Sequence, residues 1–325
     1  MRIFRKRIPE YLITLFAIIT LNFFIPRIMP GDPFTFVSSE ENSVSTVYTD
    51  EEVARLKAYY GLDKPLPEQY LNYLGNTLRG DFGYSIYFND TVLNLVGGRI
   101  VYTLPIAISS LLLSCLLGCL IGCMSAYKRS GIFDRVSYAL ITIFSQIPSF
   151  LIGVFFLFFL AGKLGWFPLS GAMKAFATYE SGFEKLRDIL YHAFLPVLTL
   201  TLAHIGEFYL LSRNSMISVL SKDYIVTARA KGLLKKRVLY VHALKNAMLP
   251  IITRLCMSLG TIFGGAVLIE NVFNYPGLGT LMRQAITYRD YTLIQGIFLF
   301  FAFTVLVMNM IADIIYGKLD PRVEL

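Results

Sequence analysis

The sequence predicts an all-helical integral membrane protein with six transmembrane helices and a partly helical external insertion after the first helix. Of its 325 residues, 55% are hydrophobic and only 16% are charged, whereas soluble domains carry about 25% charged residues. The mean hydropathy is +0.57. Six apolar runs are each long enough to cross the roughly 30 Å hydrocarbon core of a bilayer.

The six runs extend from near the N-terminus almost to the C-terminus. They are Pro9–Met29, Tyr102–Tyr127, Val136–Leu160, Phe194–Leu211, Leu249–Ile269 and Thr292–Tyr316. The first run contains Pro26 and Arg27 and has no small-residue cleavage site before Pro30. We therefore predict that it remains a membrane span and is not a cleaved signal peptide.

The charges of the connecting segments predict that both termini lie in the cytoplasm. The N-terminal tail, the Lys128–Arg135 loop and the segment 213–248 are all basic, and the last of these holds eight Lys or Arg residues and one acidic residue, Asp223. Residues 30–101 instead carry ten acidic and five basic residues. Lys and Arg near span ends are retained on the cytoplasmic side. This topology accounts for the net charge of +8, so no nucleic-acid partner is predicted.

We divide the chain into four parts on this basis: 1–30, a cytoplasmic tail and the first span; 31–101, an external cap; 102–316, a five-helix core with the cytoplasmic loop 213–248; and 317–325, a cytoplasmic tail. A capping-box pattern at Thr49–Glu52 and the segment Glu68–Leu78 predict helices in the cap. Its aromatic residues need burial, which favours a folded cap over a flexible tether. They are Tyr59, Tyr60, Tyr70, Tyr73, Phe82 and Tyr84.

Polar and small residues inside the predicted spans suggest different roles. His204 and Glu207 lie one turn apart in the fourth span and are candidates for a solute path, because a charge at the bilayer centre costs at least about 2.5–3.5 kcal/mol. The simpler alternative is that these two residues pair with each other. Two Gly-x-x-x-Gly patterns predict close helix packing. The four cysteines are expected to pack as small apolar residues, and no metal site is predicted. These small residues are Gly118 and Gly122, Gly260 and Gly264, and Cys115, Cys119, Cys123 and Cys256.

The basic loop 213–248 predicts two helices. Ser221 is a candidate N-cap for the first, and Gly232 is placed to end it in a left-handed conformation. The small side chains of Thr227–Ala230 would let a groove of another protein approach the backbone. The second helix is predicted to bury an apolar stripe, with its basic residues facing water or lipid phosphates. The stripe is Leu234, Val238, Val241, Leu244 and Met248, and the basic residues are Lys235, Lys236, Arg237 and Lys245.

The loop resembles the cytoplasmic coupling loop of ABC transporter permeases, in the variant found in the dipeptide/oligopeptide (peptide/nickel) import family. The Glu and first Ala of the general pattern fall here on Val226 and Thr227. Ordered motifs extend the resemblance over nearly the whole chain. They are Pro30-Gly31-Asp32-Pro33, Gly80-Asp81-Phe82-Gly83-x-Ser85, Asp223-Tyr224, Thr227–Gly232, His242-Ala243-Leu244-x-Asn246-Ala247, Pro276-Gly277-Leu278-Gly279, Arg289-Asp290-Tyr291 and Leu319-Asp320-Pro321-Arg322.

The resemblance implies the binding-protein-dependent inner-membrane component of an importer, with the type I ABC importer permease fold, in a bacterial cytoplasmic membrane. It would pair with a homologous second permease, sit on two ATPase subunits that bind ATP and Mg, and receive solute from an external binding protein. The chain has no GxxxxGK[ST] loop, so we expect a non-catalytic subunit without a cofactor. The implied ATPase-coupling residues are Asp223, Tyr224, Thr227, Ala228, Arg229, Ala230, Lys231 and Gly232.

Several functions remain compatible with the sequence. The leading hypothesis is import of di- or oligopeptides. The same machine is also suited to nickel or metal chelates, glutathione-like compounds or oligosaccharides, because nothing in the spans identifies a ligand. A secondary transporter using His204 and Glu207 and a non-transporting anchor or sensor for the binding protein are alternatives from other classes.

Overall fold

The computed structural model describes residues 2–28, 50–59, 61–234 and 237–319. Within these ranges the chain forms two compact units: one holds the described residues up to 101 together with 277–306, and the other holds the described residues from 102 to 276 together with those from 307 onward. The described helices are, in chain order, α1 (Arg2–Ile28), α2 (Asp50–Tyr59), α3 (Leu66–Leu78), α4 (Val92–Tyr127), α5 (Ile132–Gln146), α6 (Ser149–Phe156), α7 (Gly182–Leu220), α8 (Asp223–Ala230), α9 (Lys245–Val272), α10 (Leu278–Thr287) and α11 (Tyr291–Leu319). Two π-helical segments adjoin them: Leu157–Lys163 continues α6, and Val238–Leu244 leads into α9.

The helices confirm the predicted all-α membrane fold. Among the described residues, five helical segments are long and apolar enough to cross a membrane: Pro9–Ile28, Val92–Tyr127, Gly182–Leu220, Val241–Val272 and Tyr291–Ile315. The bent pair Ile132–Gln146 and Ser149–Lys163 gives a sixth crossing if the two helices are taken as one span.

The third predicted run, Val136–Leu160, is not one straight helix. Ile132–Gln146 and Ser149–Lys163 meet at 96°. The break falls at Ile147-Pro148, where Ile147 has φ −79° and ψ 126°. Proline disfavours helical geometry at the preceding residue and has no N–H to continue the hydrogen-bond ladder, and Ile147 is extended here, so the bend has a local cause.

The first unit has a continuous apolar core, drawn from the start of α4, from α10 and from the start of α11. The buried members are Val92, Val96, Leu278, Leu281, Met282, Ala285, Leu293, Ile294 and Ile297. Within the same unit, α3 packs its aromatic side chains on α1. The Tyr70 and Tyr73 rings lie 5.3 Å and 5.6 Å from the Phe23 ring, and the Asn22 amide donates to the Tyr73 hydroxyl at 3.1 Å.

The predicted burial of the cap aromatics is found only in part. Tyr70, Tyr73 and Phe82 are half-buried, whereas Tyr84 is 38% exposed. The Tyr59 side chain and Tyr60 lie outside the described residues.

The second unit is organised around α7, which contacts α5, α6 and α9. Helix α4 also approaches α7 closely, at the first Gly-x-x-x-Gly pair. A Cβ on Gly118 would lie 2.8 Å from the Ile205 carbonyl, and one on Gly122 would overlap the Ser212 hydroxyl. The predicted close packing at this pair is therefore confirmed. At the second pair, Gly264 has open space beside it.

Candidate functional site

Helix α8 is the short helix predicted from the basic loop, and both of its ends are defined locally. Lys222 occupies the N-cap, with φ −79° and ψ 148°. The prediction of Ser221 as N-cap is wrong by one residue, because α7 continues to Leu220 and Ser221 closes it. Asp223 stands in the first turn, where a carboxylate is favoured by the positive end of the helix dipole.

The C-terminal end of α8 confirms the prediction for Gly232, which has φ +73°. The Leu233 amide donates to the Ala228 carbonyl at 3.4 Å and the Gly232 amide donates to the Arg229 carbonyl at 3.0 Å. This is the hydrogen-bond pattern of a Schellman motif, which needs a left-handed residue at this position. No atom lies within 4 Å of a Cβ built on Gly232, so glycine is required here for its backbone angle and not for lack of space.

One face of α8 is buried against the same chain. Ile225 is fully buried and Ala228 is 7% exposed, and both belong to an apolar cluster that we call the coupling seat. The small side chain of Ala228 is thus used to seat α8 on its own chain, and it does not face outward as the predicted groove contact requires. The buried members of the coupling seat are Ala126, Met216, Ile225, Ala228, Val238, Ala243 and Ala247.

The opposite face of α8 is exposed to solvent. Tyr224 is 43% exposed and Val226 is 57% exposed. The other predicted coupling residues, in α8 and in the turn that follows it, are also exposed: Asp223, Thr227, Arg229, Ala230, Lys231 and Gly232. The exposed face therefore combines an aromatic ring, an aliphatic side chain and two cations.

Polar contacts hold the exposed face in register with the segment that follows it. The Asn246 amide donates to the Tyr224 hydroxyl at 3.2 Å and to the His242 carbonyl at 2.9 Å. Thr227 donates its hydroxyl to the Asp223 carbonyl at 3.0 Å. Sequence reasoning did not assign a role to Asn246, although it belongs to one of the family motifs.

The second predicted helix differs from its prediction in the residues that it buries. Val238 is buried and Leu244 is half-buried, but Leu234 is 78% exposed and Val241 is 55% exposed. The reason is the π-helical geometry of Val238–Leu244, whose wider turn places residues five apart on one face. The buried face consequently runs through Val238, Ala243 and Ala247. Arg237 and Lys245 are exposed, as predicted, whereas Lys235 and Lys236 lie outside the described residues.

The two candidate solute-path residues, His204 and Glu207, are both half-buried on α7. Glu207 forms an ion pair with Arg254 of α9, whereas the simpler alternative supposed a pair with His204. The His204 ring faces the other helix as well, since a Cβ on Gly265 would lie 3.5 Å from its Nε2. Both side chains therefore point to the α7–α9 contact.

In the first unit, two of the family motifs meet at one buried carboxylate. Asp290 is 1% exposed and accepts hydrogen bonds from the Ser85 hydroxyl at 2.5 Å, the Tyr87 amide at 3.1 Å and the Leu293 amide at 3.0 Å. Burial raises the pKa of the Asp290 carboxyl despite these donors. Ser85 and Asp290 are 205 positions apart, and no local spacing reveals the pair.

In the second unit, Asp134 pairs with Arg213, and the sequence analysis did not anticipate this pair. In the described parts of the chain, no three His, Cys, Asp or Glu side chains lie close enough together to hold a metal ion.

Comparison with known proteins places this arrangement in a family. Residues 118–325 match the family described as the binding-protein-dependent transport system inner membrane component. A putative peptide permease protein of Brucella suis is 36% identical over 311 residues, which cover 95% of each chain. The dipeptide transport system permease protein DppB of Lactococcus lactis is 34% identical over 321 residues, or 98% of each chain.

The fold has a solved counterpart. A chain of the MetNI methionine ABC transporter in an inward-facing conformation has a TM-score of 0.55 at 18% identity, covering 70% of this chain and 96% of its own. This likeness confirms the ABC importer permease fold. Because the family match spans more than half of the sequence and both relatives align along nearly all of it, the chain belongs to the family of inner membrane components of binding-protein-dependent transport systems.

Proposed function

We propose that this chain is the permease subunit of an ATP-driven importer that carries di- or oligopeptides across the bacterial cytoplasmic membrane. The observation that carries the proposal is the alignment of nearly the whole chain with a putative peptide permease and a dipeptide permease. Nickel, metal-chelate or oligosaccharide cargo is the alternative, which the uptake assays below distinguish from peptide cargo.

In this proposal, α8 is the coupling helix. Its exposed face, with Tyr224, Val226 and Arg229, contacts a partner ATPase, while Ile225 and Ala228 anchor it to the coupling seat. Because α8 is firmly seated, a force applied to its exposed face is passed to the ends of α4, α7 and α9 and is not absorbed by a loose loop.

The other components follow from the same assignment. ATP and Mg would be bound by two ATPase subunits, and this chain would take no catalytic step. A homologous second permease would complete the translocation path, and an external binding protein would deliver the peptide. The excess of Lys and Arg in the N-terminal tail and in segment 213–248 supports cytoplasmic termini and a cytoplasmic α8.

The direct test is uptake by the purified complex in proteoliposomes. We expect labelled di- to hexapeptides to accumulate only with internal ATP, the binding protein and active ATPases, and a complex with an inactivated ATPase is the control. Uptake that survives ATP depletion but collapses with an uncoupler would instead identify a secondary transporter. In a deletion strain, normal peptide uptake combined with lost nickel or sugar uptake would refute the peptide assignment.

The coupling role of α8 is tested by placing a charge on its exposed face. We expect Val226→Arg to insert normally but to lose the ATPase on co-purification, because it puts a cation into the proposed contact. Leu234→Arg is the matched control, since Leu234 is also exposed but lies beyond α8. Equal ATPase recovery from both variants would contradict the coupling role.

A further inference from the structure

A buried ion pair lies beside the coupling seat. The Arg213 guanidinium of α7 donates to both oxygens of Asp134, from Nε at 2.7 Å and from Nη2 at 2.9 Å. The Asp134 side chain is 5% exposed and that of Arg213 is 18% exposed. Two parallel hydrogen bonds between a guanidinium and a carboxylate fix both distance and orientation, which a single contact does not.

The same carboxylate also holds α4 and the turn that follows it. Ser125 of α4 donates its hydroxyl to Asp134 Oδ1 at 2.5 Å, and the Ser130 amide donates to Oδ2 at 3.0 Å. The Ser125 hydroxyl further contacts the Tyr209 hydroxyl of α7 at 2.8 Å. Asp134 therefore joins α4, α5 and α7 at one point.

This point is adjacent to the coupling seat along both neighbouring helices. Ala126, which follows Ser125, and Met216, one turn after Arg213, are both buried members of the seat against which α8 packs. Asp134 is the buried residue of α5, whose other described residues are exposed or half-buried. Asp134 is therefore the buried contact through which the start of α5 reaches the helix ends beneath α8.

We propose that the Asp134–Arg213 pair is a positioning element that makes α5 move with the coupling helix. A displacement of α8 shifts the ends of α4 and α7 through the coupling seat, and the bidentate pair transfers that shift to the start of α5. Helix α5 is the first arm of the bent third span, so its movement changes the position of that span in the membrane domain. This inference rests on the proposed function of α8 as the coupling helix.

Stability alone is a weak explanation for the pair. A buried ion pair is often replaced by apolar residues of similar volume with little or no loss of stability, because desolvation offsets the attraction. Removing only one partner, in contrast, leaves an uncompensated buried charge. A double substitution therefore separates positioning from folding.

The test uses the complete transporter in proteoliposomes with Asp134→Leu/Arg213→Met. We expect ATP hydrolysis to stay within about two-fold of wild type while peptide uptake falls at least ten-fold, so that the ATP used per peptide rises. The control is Asp188→Asn at the other end of α7. Asp188 is also a buried carboxylate that accepts hydrogen bonds, from the Lys174 amide and the Tyr179 hydroxyl, but it does not touch the coupling seat. Its ratio of ATP to peptide should stay at the wild-type value.

A milder variant decides the question if the double variant does not assemble. Arg213→Lys keeps the charge but cannot form the bidentate contact, so we expect an intermediate rise in ATP used per peptide. An unchanged ratio in the assembled double variant, or in Arg213→Lys, would overturn the inference and leave the proposed function intact. A wild-type complex without ATP-dependent peptide uptake would refute the proposed function and this inference with it.

Discussion

The Ile225→Ala substitution tests whether α8 depends on the coupling seat. Ile225 is fully buried there, and α8 has only eight residues. A helix this short is not stable on its own in water, so its persistence depends on packing. Truncating a buried isoleucine to alanine costs about 2–5 kcal/mol, and each 1.4 kcal/mol corresponds to about a tenfold change in an equilibrium. A central value of about 3 kcal/mol raises the population of detached α8 roughly 150-fold.

Hydrogen exchange of the Asp223–Ala230 amides in the purified protein measures this detachment. The matched control is Val226→Ala, the next residue along the same helix, which is 57% exposed. A surface substitution of this kind changes stability by at most about 0.5 kcal/mol, so exchange should change by no more than roughly two- to threefold. Equal exchange rates in the two variants would refute the conclusion that the seat stabilises α8. We also expect Ile225→Ala to lower transport, because a detached helix cannot transmit force.

The described contacts lead to further predictions at Gly232, Asp290 and Glu207. Gly232→Ala should increase hydrogen exchange of the α8 amides about 5- to 30-fold, because an alanine in the left-handed conformation costs about 1–2 kcal/mol. The control is Gly80→Ala: Gly80 also has a positive φ, +79°, and open space beside it, and its substitution should leave exchange in α8 unchanged. Asp290→Asn should lower the hydrogen-exchange protection of residues 85–88 by about 1–3 kcal/mol. The side-chain NH2 group of the asparagine is itself a donor, and it would face the Ser85 hydroxyl or the backbone amides that now donate to Asp290. Burial raises the pKa of Asp290, so the folded state binds this proton more tightly than the unfolded state does. In the wild type, the hydrogen-exchange protection of residues 85–88 should therefore fall as the pH rises through the raised pKa. The Asp290→Asn variant should not show this pH dependence. Glu207→Gln should reduce uptake, because it leaves the Arg254 charge uncompensated in a membrane span. Adding Arg254→Gln should restore uptake. A double variant that does not recover uptake would assign Glu207 to the solute path.

Local features were predictable from the sequence because their causes lie within a few residues. The left-handed end of α8 follows from Gly232, and the close packing of α4 follows from Gly118 and Gly122, although the sequence did not identify α7 as the partner helix. The break at Pro148 had an equally local signal in the residue pair Ile147-Pro148, but the apolar run around it outweighed that signal in the prediction of a single span.

The orientation of α8 was only partly predictable. Ile225 and Ala228 are three residues apart and so share a helical face, and their spacing was available to identify the buried side. The burial of Ala243 in place of Val241 was not, because it depends on a π-helical turn that a 3.6-residue period does not represent.

The sequence by itself determined that this is a helical membrane protein of one transporter family, since hydrophobic length, charge bias and ordered motifs are properties of the chain. Only the tertiary structure decided which partners the buried carboxylates have. Asp290 meets Ser85 across 205 positions, and Arg213 meets Asp134 across 79. A buried carboxylate must find donors wherever the fold brings them, and that choice is made by packing. The basic loop predicted a short helix, whereas the face of α8 that is exposed and the attachment of the loop to α5 were decided by the coupling seat and the Asp134–Arg213 pair.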